Sequence, residues 1–282
     1  MTDSGWHEVG ERVFRKRFEP CDVTVTAVVG GDGVAVVDTR CSVTEAGEVL
    51  DQIARLTPAP VRWVVNTHAH FDHTWGNARF LAPRHDPPAR IWGHQTLPAR
   101  FDPEDPQLAE FLKKLAAVDG EWAARVAALE PAPPTELVDE AATLDVGGRL
   151  VELRHLGRGH TDGDLWIRVP DAGVVLSGDL VEESGPPSFG PDSYPLEWAA
   201  TLDRALAWMG PDAIVVPGHG EPVDRAYITG QRAQIDAIAQ EIRRLHAAGV
   251  ECDDAAAEGT WPVSAKALRE AITRGYAALE TS

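Results

Sequence analysis

Within six consecutive positions the chain carries three imidazoles and a carboxylate: His68, His70, Asp72 and His73, in the stretch Thr67-His68-Ala69-His70-Phe71-Asp72-His73-Thr74-Trp75-Gly76-Asn77. Imidazole nitrogen and carboxylate oxygen are the borderline-to-hard donors that suit zinc, iron or manganese. His68 and His70 stand two apart, so in an extended backbone both side chains leave the same face. Asp72 and His73 follow at once, and a turn there swings them toward a second position beside the first. Crowded this closely without a cation, the four groups would repel or strand one another. The pattern therefore predicts a metal site rather than a His-rich loop. The other isolated histidines, His7, His85, His94, His155 and His246, read as ordinary satisfied polar groups.

Something rigid must hold these donors. The preceding run, Val61-Arg62-Trp63-Val64-Val65, is short, apolar and rich in β-branched residues, as a buried strand is. Ligands leaving the C-terminal end of such a strand sit on firm support at the mouth of a crevice. Three further donor residues share one context: His160, Asp179 and His219 each follow a glycine. Asp179 and His219 come just after the apolar runs Val174-Val175-Leu176 and Ala213-Ile214-Val215-Val216. Glycine lets the backbone turn sharply and approach closely, so a side chain at a strand end can point into a shared crevice. Taken singly, Gly-His-Thr, Gly-Asp and Gly-His-Gly are ordinary turns.

Together, and in this order, the H-x-H-x-D-H stretch and the later Gly-His, Gly-Asp and Gly-His pairs resemble the signature of the metallo-β-lactamase-fold superfamily over roughly residues 20 to 220. The resemblance implies an α/β fold: an αβ/βα four-layer sandwich, two mixed β-sheets face to face with helices outside, and the site along one edge. It implies that His68, His70 and His160 hold a first metal, that Asp72, His73 and His219 hold a second, and that Asp179 bridges the two. The expected cofactors are two divalent metal ions, Zn2+ first, with Fe or Mn as alternatives.

Two such cations a few ångströms apart share a water, lower its pKa toward neutrality and supply hydroxide at pH 7. They also polarise a substrate carbonyl and stabilise the oxyanion that follows. Asp72 is the candidate to orient the hydroxide and pass a proton to the leaving group. Asp164 and Asp38 are candidates to orient the free ring nitrogens of the histidines, although an acid after a buried run, such as Asp38, is more often a turn cap.

Aspartate rather than cysteine at 179 points away from the antibiotic-destroying branch of the superfamily and toward its glyoxalase II-like and lactonase-like branch. The expected function is a metal-dependent hydrolase of a small acyl substrate: a lactone, thioester or related ester. The alternative is a mononuclear iron enzyme similar to the persulfide dioxygenases of the same fold, which would use only His68, His160 and Asp179. Tyr194, in a Gly/Pro-rich loop after Asp179, is a candidate to hydrogen-bond a substrate carbonyl as a tyrosine does in lactonases of this fold, against the plainer reading that it packs.

The rest of the chain frames this site. At 282 residues with a net charge of −18, it can bury a large core and would repel a polyanion, so no nucleic-acid partner is expected. Three cysteines, Cys21, Cys41 and Cys252, lie far apart without a C-x-x-C and read as reduced thiols. The N-terminus shows neither a basic head nor an apolar run, and no stretch reaches membrane-spanning length. A cytoplasmic protein acting on a small molecule without a membrane partner is expected, with oligomeric state, homo-oligomers included, left open.

Residues 12 to 40 alternate as strands around the turn Gly30-Gly31-Asp32-Gly33. Ser42 and Glu45 form a capping box for a helix to Leu56. Prolines punctuate residues 83 to 134, bracketing two amphipathic helices, one through Leu108, Phe111, Leu112, Leu115 and Val118 and one through Trp122, Val126 and Leu129. This insertion reads equally as a lid or as surface decoration. Strands follow at 144–156 and 165–169, then a helix from about Pro195 and a long helix ending at Gly249. The whole is organised as one domain over 1–250, carrying the insertion at about 83–134, with a helical C-terminal extension over 251–282.

Overall fold

The central strands of this protein, at 23–29, 34–37 and 174–182, are buried along their whole length because they are covered on both faces. The computed structural model describes residues 5–281. Residues 1–4, on which the reading of the extreme N-terminus partly rests, and Ser282 lie outside the described residues. The chain begins with β1 (His7–Gly10), β2 (Val13–Phe18), β3 (Val23–Val29) and β4 (Val34–Val37), continues through α1 (Val43–Leu56) and β5 (Val61–Val65), and reaches a one-turn helix α2 (Phe71–Thr74). Next come β6 (Arg90–His94), α3 (Pro106–Ala116), α4 (Gly120–Ala127), β7 (Glu136–Val138), β8 (Ala141–Asp145), β9 (Leu150–Arg154), β10 (Trp166–Val169) and β11 (Val174–Glu182). The chain closes with α5 (Trp198–Trp208), β12 (Ile214–His219), α6 (Arg225–Ala247), α7 (Cys252–Glu258) and α8 (Arg269–Glu280).

Hydrogen bonding links all the strands in the order β7-β6-β5-β4-β3-β12-β11-β10-β9-β8, with β2 and β1 attached beside β3. The two halves meet at the single pair Val23–His219, so the ladder folds on itself there. Side chains alternate across each strand. In β4, Ala35 and Val37 point inward to meet Leu153, Ile167 and Val216 of the other half, while Val34 and Val36 point outward onto Val49 and Ile53 of α1. On the far side, Val175 and Val215 face Leu202 of α5, Ile235 and Ile238 of α6, and Ile272 and Tyr276 of α8. The layers therefore run helix, sheet, sheet, helix, as expected for an αβ/βα sandwich. A strand sealed on both faces gives a continuous apolar run instead of strict alternation.

Several boundaries differ from the sequence reading. β1 starts before residue 12 as a short, largely exposed edge strand. The 144–156 segment is a hairpin whose turn holds Gly147 and Gly148 at positive φ, and its first strand begins at Ala141. Helix α5 begins at Trp198, because residues 195–197 close a turn after Tyr194. Val118 lies past α3 and is 63% exposed, so it does not extend that helix's apolar face. The cap of α1 forms with Ser42 Oγ accepting from Glu45 N, but the Glu45 carboxylate accepts from Cys41 N, one residue beyond the usual box. Cys21 and Cys41, distant in sequence, bring their Sγ atoms to 3.4 Å, and all three cysteines are free. Among the described residues, no helix is long and apolar enough to cross a membrane.

Candidate metal centre

The H-x-H-x-D-H stretch leaves β5 at the edge where the two halves of the sheet meet. It is not a continuation of the strand: residues 67–69 bend, and His70 then precedes α2. The extended-backbone argument for His68 and His70 therefore fails in detail, yet their rings still come together, with centroids 4.6 Å apart. The bend is held by polar contacts in place of sheet pairing. Thr67 N and Thr67 Oγ1 both donate to Asp38, each at 2.8 Å, and Leu165 N donates to the Thr67 carbonyl. Asn66 and Asn77 bond each other side chain to side chain, and Asn66 Nδ2 also donates to the His73 carbonyl at 3.2 Å.

Asp179 and His219 lie inside β11 and β12, not beyond them. The parallel pair continues past the apolar core through register shifts around Gly178. Gly178 has φ +51°, and a Cβ there would approach Thr67 Cβ to 2.7 Å. This glycine is what allows the Asp179 strand to lie against the bend that carries the histidines.

Four of the other six donor residues lie directly against Asp179. Its Oδ2 stands 3.3 Å from His219 Nε2, 3.4 Å from His160 Nε2 and 3.8 Å from His68 Nε2, and its Oδ1 stands 3.3 Å from His73 Nε2. His70 Nδ1 meets His160 Nε2 at 2.9 Å. Asp72 Oδ2 lies 3.4 Å from His219 Nε2 and 3.7 Å from His73 Nε2. The donors form two groups, one of His68, His70, His160 and Asp179 and one of Asp72, His73 and His219, with the donor atoms of each group within 4.8 Å of one another.

A cation suits this arrangement on physical grounds. His68 Nε2, His73 Nε2 and Asp179 Oδ1 are buried and make no hydrogen bond, and each such orphan costs about 1–3 kcal/mol. Nitrogens bound to zinc at about 2.0–2.1 Å in a tetrahedron stand roughly 3.3 Å apart, close to the spacings seen here. Burial, reinforced by neighbouring histidine charge, holds His68 well below its ordinary pKa and His160 down to about 4. Both are therefore neutral, the form that ligates metal. Burial opposes the charge on His219 too, but Asp179 beside it lifts its pKa to about 9.

The outer contacts answer the orientation question. Asp38, 2% exposed, accepts from His73 Nδ1 at 2.7 Å, so it is a histidine-orienting acid and not merely a turn cap. Asp164 plays another part. It accepts from Thr161 N and Oγ1, touches no ligand ring, and is pushed by burial up to about 8 against those bonds. The ring contact of His160 is instead the Ser188 carbonyl, 2.9 Å from Nδ1.

The sequence reading missed Asp192, which meets His70 Nε2 at 3.2 Å, and Glu182, whose carboxylate lies with Asp179 and His219 and is lifted by burial and by the Asp179 charge to about 7. Asp192 lay in the Gly/Pro-rich loop already singled out, two residues from the tyrosine chosen there. Tyr194 itself is turned away. Its ring sits under the Arg158 guanidinium, 4.2 Å from the centroid, with Arg274 at 5.6 Å, and it lines a separate surface cavity with Leu196 and Ala277.

Residues 18–219 match the family model described as the Metallo-beta-lactamase superfamily. The chain belongs to this superfamily. Relatives include a metallo-beta-lactamase type 2 of Bacillus cereus, 26% identical over 70% of this chain and 66% of the relative. An acyl-coenzyme A thioesterase of Bos taurus is 26% identical over 68% of this chain and 71% of its own length. Among solved structures, the sec-alkylsulfatase Pisa1 from Pseudomonas sp. superposes with a TM-score of 0.76 at 17% identity, covering 97% of this chain. This chain spans about half of that alkylsulfatase's length (50%). A metallo-beta-lactamase from Pontibacter korlensis matches with a TM-score of 0.60 at 19% identity over 82% of this chain and 97% of its own. At these identities the structural likeness speaks for the fold alone. Membership carries metal binding and hydrolase chemistry at the level of the superfamily, and the clustered His and Asp donors agree with it.

Proposed function

We propose that this protein is a dinuclear metal hydrolase, with zinc the expected metal, that cleaves a small acyl substrate such as a lactone, thioester or related ester. The observation that carries the reading is the gathering of six donor residues around a seventh, Asp179, with three buried donor atoms lacking any hydrogen-bond partner. His68, His70 and His160 would hold one ion, Asp72, His73 and His219 the other, and Asp179 both. The ions, when bound, supply water activated at neutral pH and Lewis-acid polarisation of the scissile carbonyl.

The chain's own residues do the rest. Asp38 keeps the His73 ring turned so that Nε2 faces the cluster. The Ser188 carbonyl does the same for His160, and Asp192 steadies His70. Asp72, held in the first turn of α2, would carry a proton to the leaving group. Aspartate at 179 and the thioesterase relative favour an acyl ester or thioester over a β-lactam as the main substrate.

The test is elemental mass spectrometry of protein purified without chelators, followed by a lactone and thioester panel. About two zinc ions per chain are expected, with turnover abolished in folded His70→Ala and Asp179→Ala variants. Unchanged rates in those variants would overturn the reading. About one iron per chain, with oxygen uptake in the presence of glutathione persulfide, would replace it with the dioxygenase.

A further inference from the structure

A cavity of about 310 Å³ opens directly beside the donor cluster. Its inner end is His70 and Asp192, paired at 3.2 Å. From there it runs outward between Phe71 and Trp75, which follow the H-x-H stretch, and Phe101, Leu108 and Phe111 of the insertion. The aromatic rings are mutually packed. Phe71 lies 5.3 Å from Trp75, 5.6 Å from Phe111 and 5.5 Å from Trp122, centroid to centroid. Phe111 is nevertheless 39% exposed. The cationic side chain at the wall, Arg100, is held by Asp162 at 2.9 Å, and the Asp192 carboxylate faces His70. A concave, mainly apolar site with a few polar groups gathered at one end is how proteins seat a ligand that has a greasy body and a reactive head.

We propose that this cavity seats the aliphatic chain of an acyl substrate, with the acyl carbon at the His70–Asp192 end, so that the protein acts on medium-chain acyl compounds in preference to short polar ones. The reaction rests on the hydrolase reading above, whereas the chain site does not. In the hydrolysis one water adds its oxygen to the acyl carbon and the bond from that carbon to sulfur or oxygen breaks. The products are a carboxylate, one proton and the free thiol or alcohol. The insertion is then neither decoration nor a free lid but the outer wall of the chain site. Its helix α4 is fixed to α1 by Arg125, which donates to Glu45 at 2.8 and 3.0 Å. Each methylene removed from water should tighten binding about fourfold until the cavity is full.

The experiment uses the full metal-loaded chain and two readouts. The first is binding of the saturated carboxylates from butanoate to decanoate, by calorimetry and by tryptophan fluorescence, since Trp75 lines the cavity. The second is hydrolysis of the matching acyl thioesters. The expected result is a Kd falling about fourfold per methylene and a parallel rise in kcat/KM. Phe111→Asp and, separately, Leu108→Asn should flatten both slopes, with metal content and circular dichroism reporting that the variants are folded. A Kd independent of chain length, or slopes retained in both folded variants, would overturn the chain site. If carboxylates bind with the slope while no thioester is cleaved, the chain site stands and the hydrolase reading fails. If thioesters of every length are cleaved equally and carboxylates bind without a slope, hydrolysis stands and this inference fails.

Discussion

The donor cluster and the apolar cavity meet at His70 and its partner Asp192 but are built by opposite means. The cluster is a floor of mostly buried polar groups on strands, a bend and a one-turn helix, with the His70, His73 and His160 rings each turned by a specific contact and with Gly178 letting backbones touch. The cavity wall is mainly carbon, supplied by Phe71 and Trp75 beside the donor stretch and by Phe101, Leu108, Phe111 and Leu129 of the insertion, and the insertion is held to the body by ring packing and one well-shielded ion pair. Orientation within tenths of an ångström matters for the floor, because a metal ligand must point. For the wall, volume and hydrophobicity matter, because an aliphatic chain has no direction to recognise. On the proposed reading, chemistry and selectivity would therefore change separately.

The sharpest way to break that separation is Gly218→Ala. A Cβ at Gly218 would fall 1.9 Å from Asp179 Oδ1, so the Asp179 carboxylate must leave its place. Metal affinity should drop on the order of a hundredfold, read by competition with a chelating dye. Retention of full metal content would mean that the floor tolerates more movement than its contacts imply. Next in size, Asp38→Asn replaces the carboxylate that accepts from His73 Nδ1 at 2.7 Å, with an expected loss of about 10–100-fold in metal affinity and no change in the chain-length preference of any ligand bound.

Arg125→Ala probes the other region. It strips one partner from a pair in which Arg125 and Glu45 are 13% and 9% exposed. Glu45 keeps its bond from Cys41 N, so the expected cost is about 2 kcal/mol, seen as a lower Tm with metal stoichiometry unchanged. Loss of metal in this variant would show that floor and wall are mechanically one.

The smallest effect falls outside both regions. His94, at the end of β6, stacks on His155 at 4.2 Å, and burial together with the His155 charge brings its pKa down to about 4 from the ordinary 6.5. Unfolded chains take up this proton near 6.5 and folded ones only near 4, so protonation in that interval favours the unfolded state. Its contribution is complete above pH 6.5 and is lost as pH falls toward 4. Chemical denaturation of His94→Gln against pH should give a shallower acid limb across that interval. An unchanged limb would assign acid sensitivity to other groups.

Much of the floor was legible in the sequence because metal ligation restricts residue type. His and Asp at Gly-preceded strand ends are few, and the six-residue cluster announces itself. The second half of the set was legible only through its pattern. His160, Asp179 and His219 are single residues scattered over sixty positions, each with an ordinary turn explanation. Asp192, Glu182 and the Ser188 carbonyl left no comparable mark. A backbone carbonyl has no side-chain signature, and an acid in a Gly/Pro loop resembles any turn acid. Tyr194 drew attention by its chemistry, but its ring direction is set by Arg158 and Arg274, which arrive from distant parts of the chain.

The sequence by itself determined the identities of the clustered donors and, through the resemblance their order and spacing carry, the family and its layered α/β fold, because glycine placement and ligand chemistry are local properties of the chain. Only the tertiary structure decided that Asp38 turns the His73 ring while Asp164 holds a loop, that Cys21 meets Cys41, and that Phe71 and Trp75 face Phe111 across a cavity. Each of these depends on where the fold brings together segments far apart in the chain, and no local pattern encodes such a meeting.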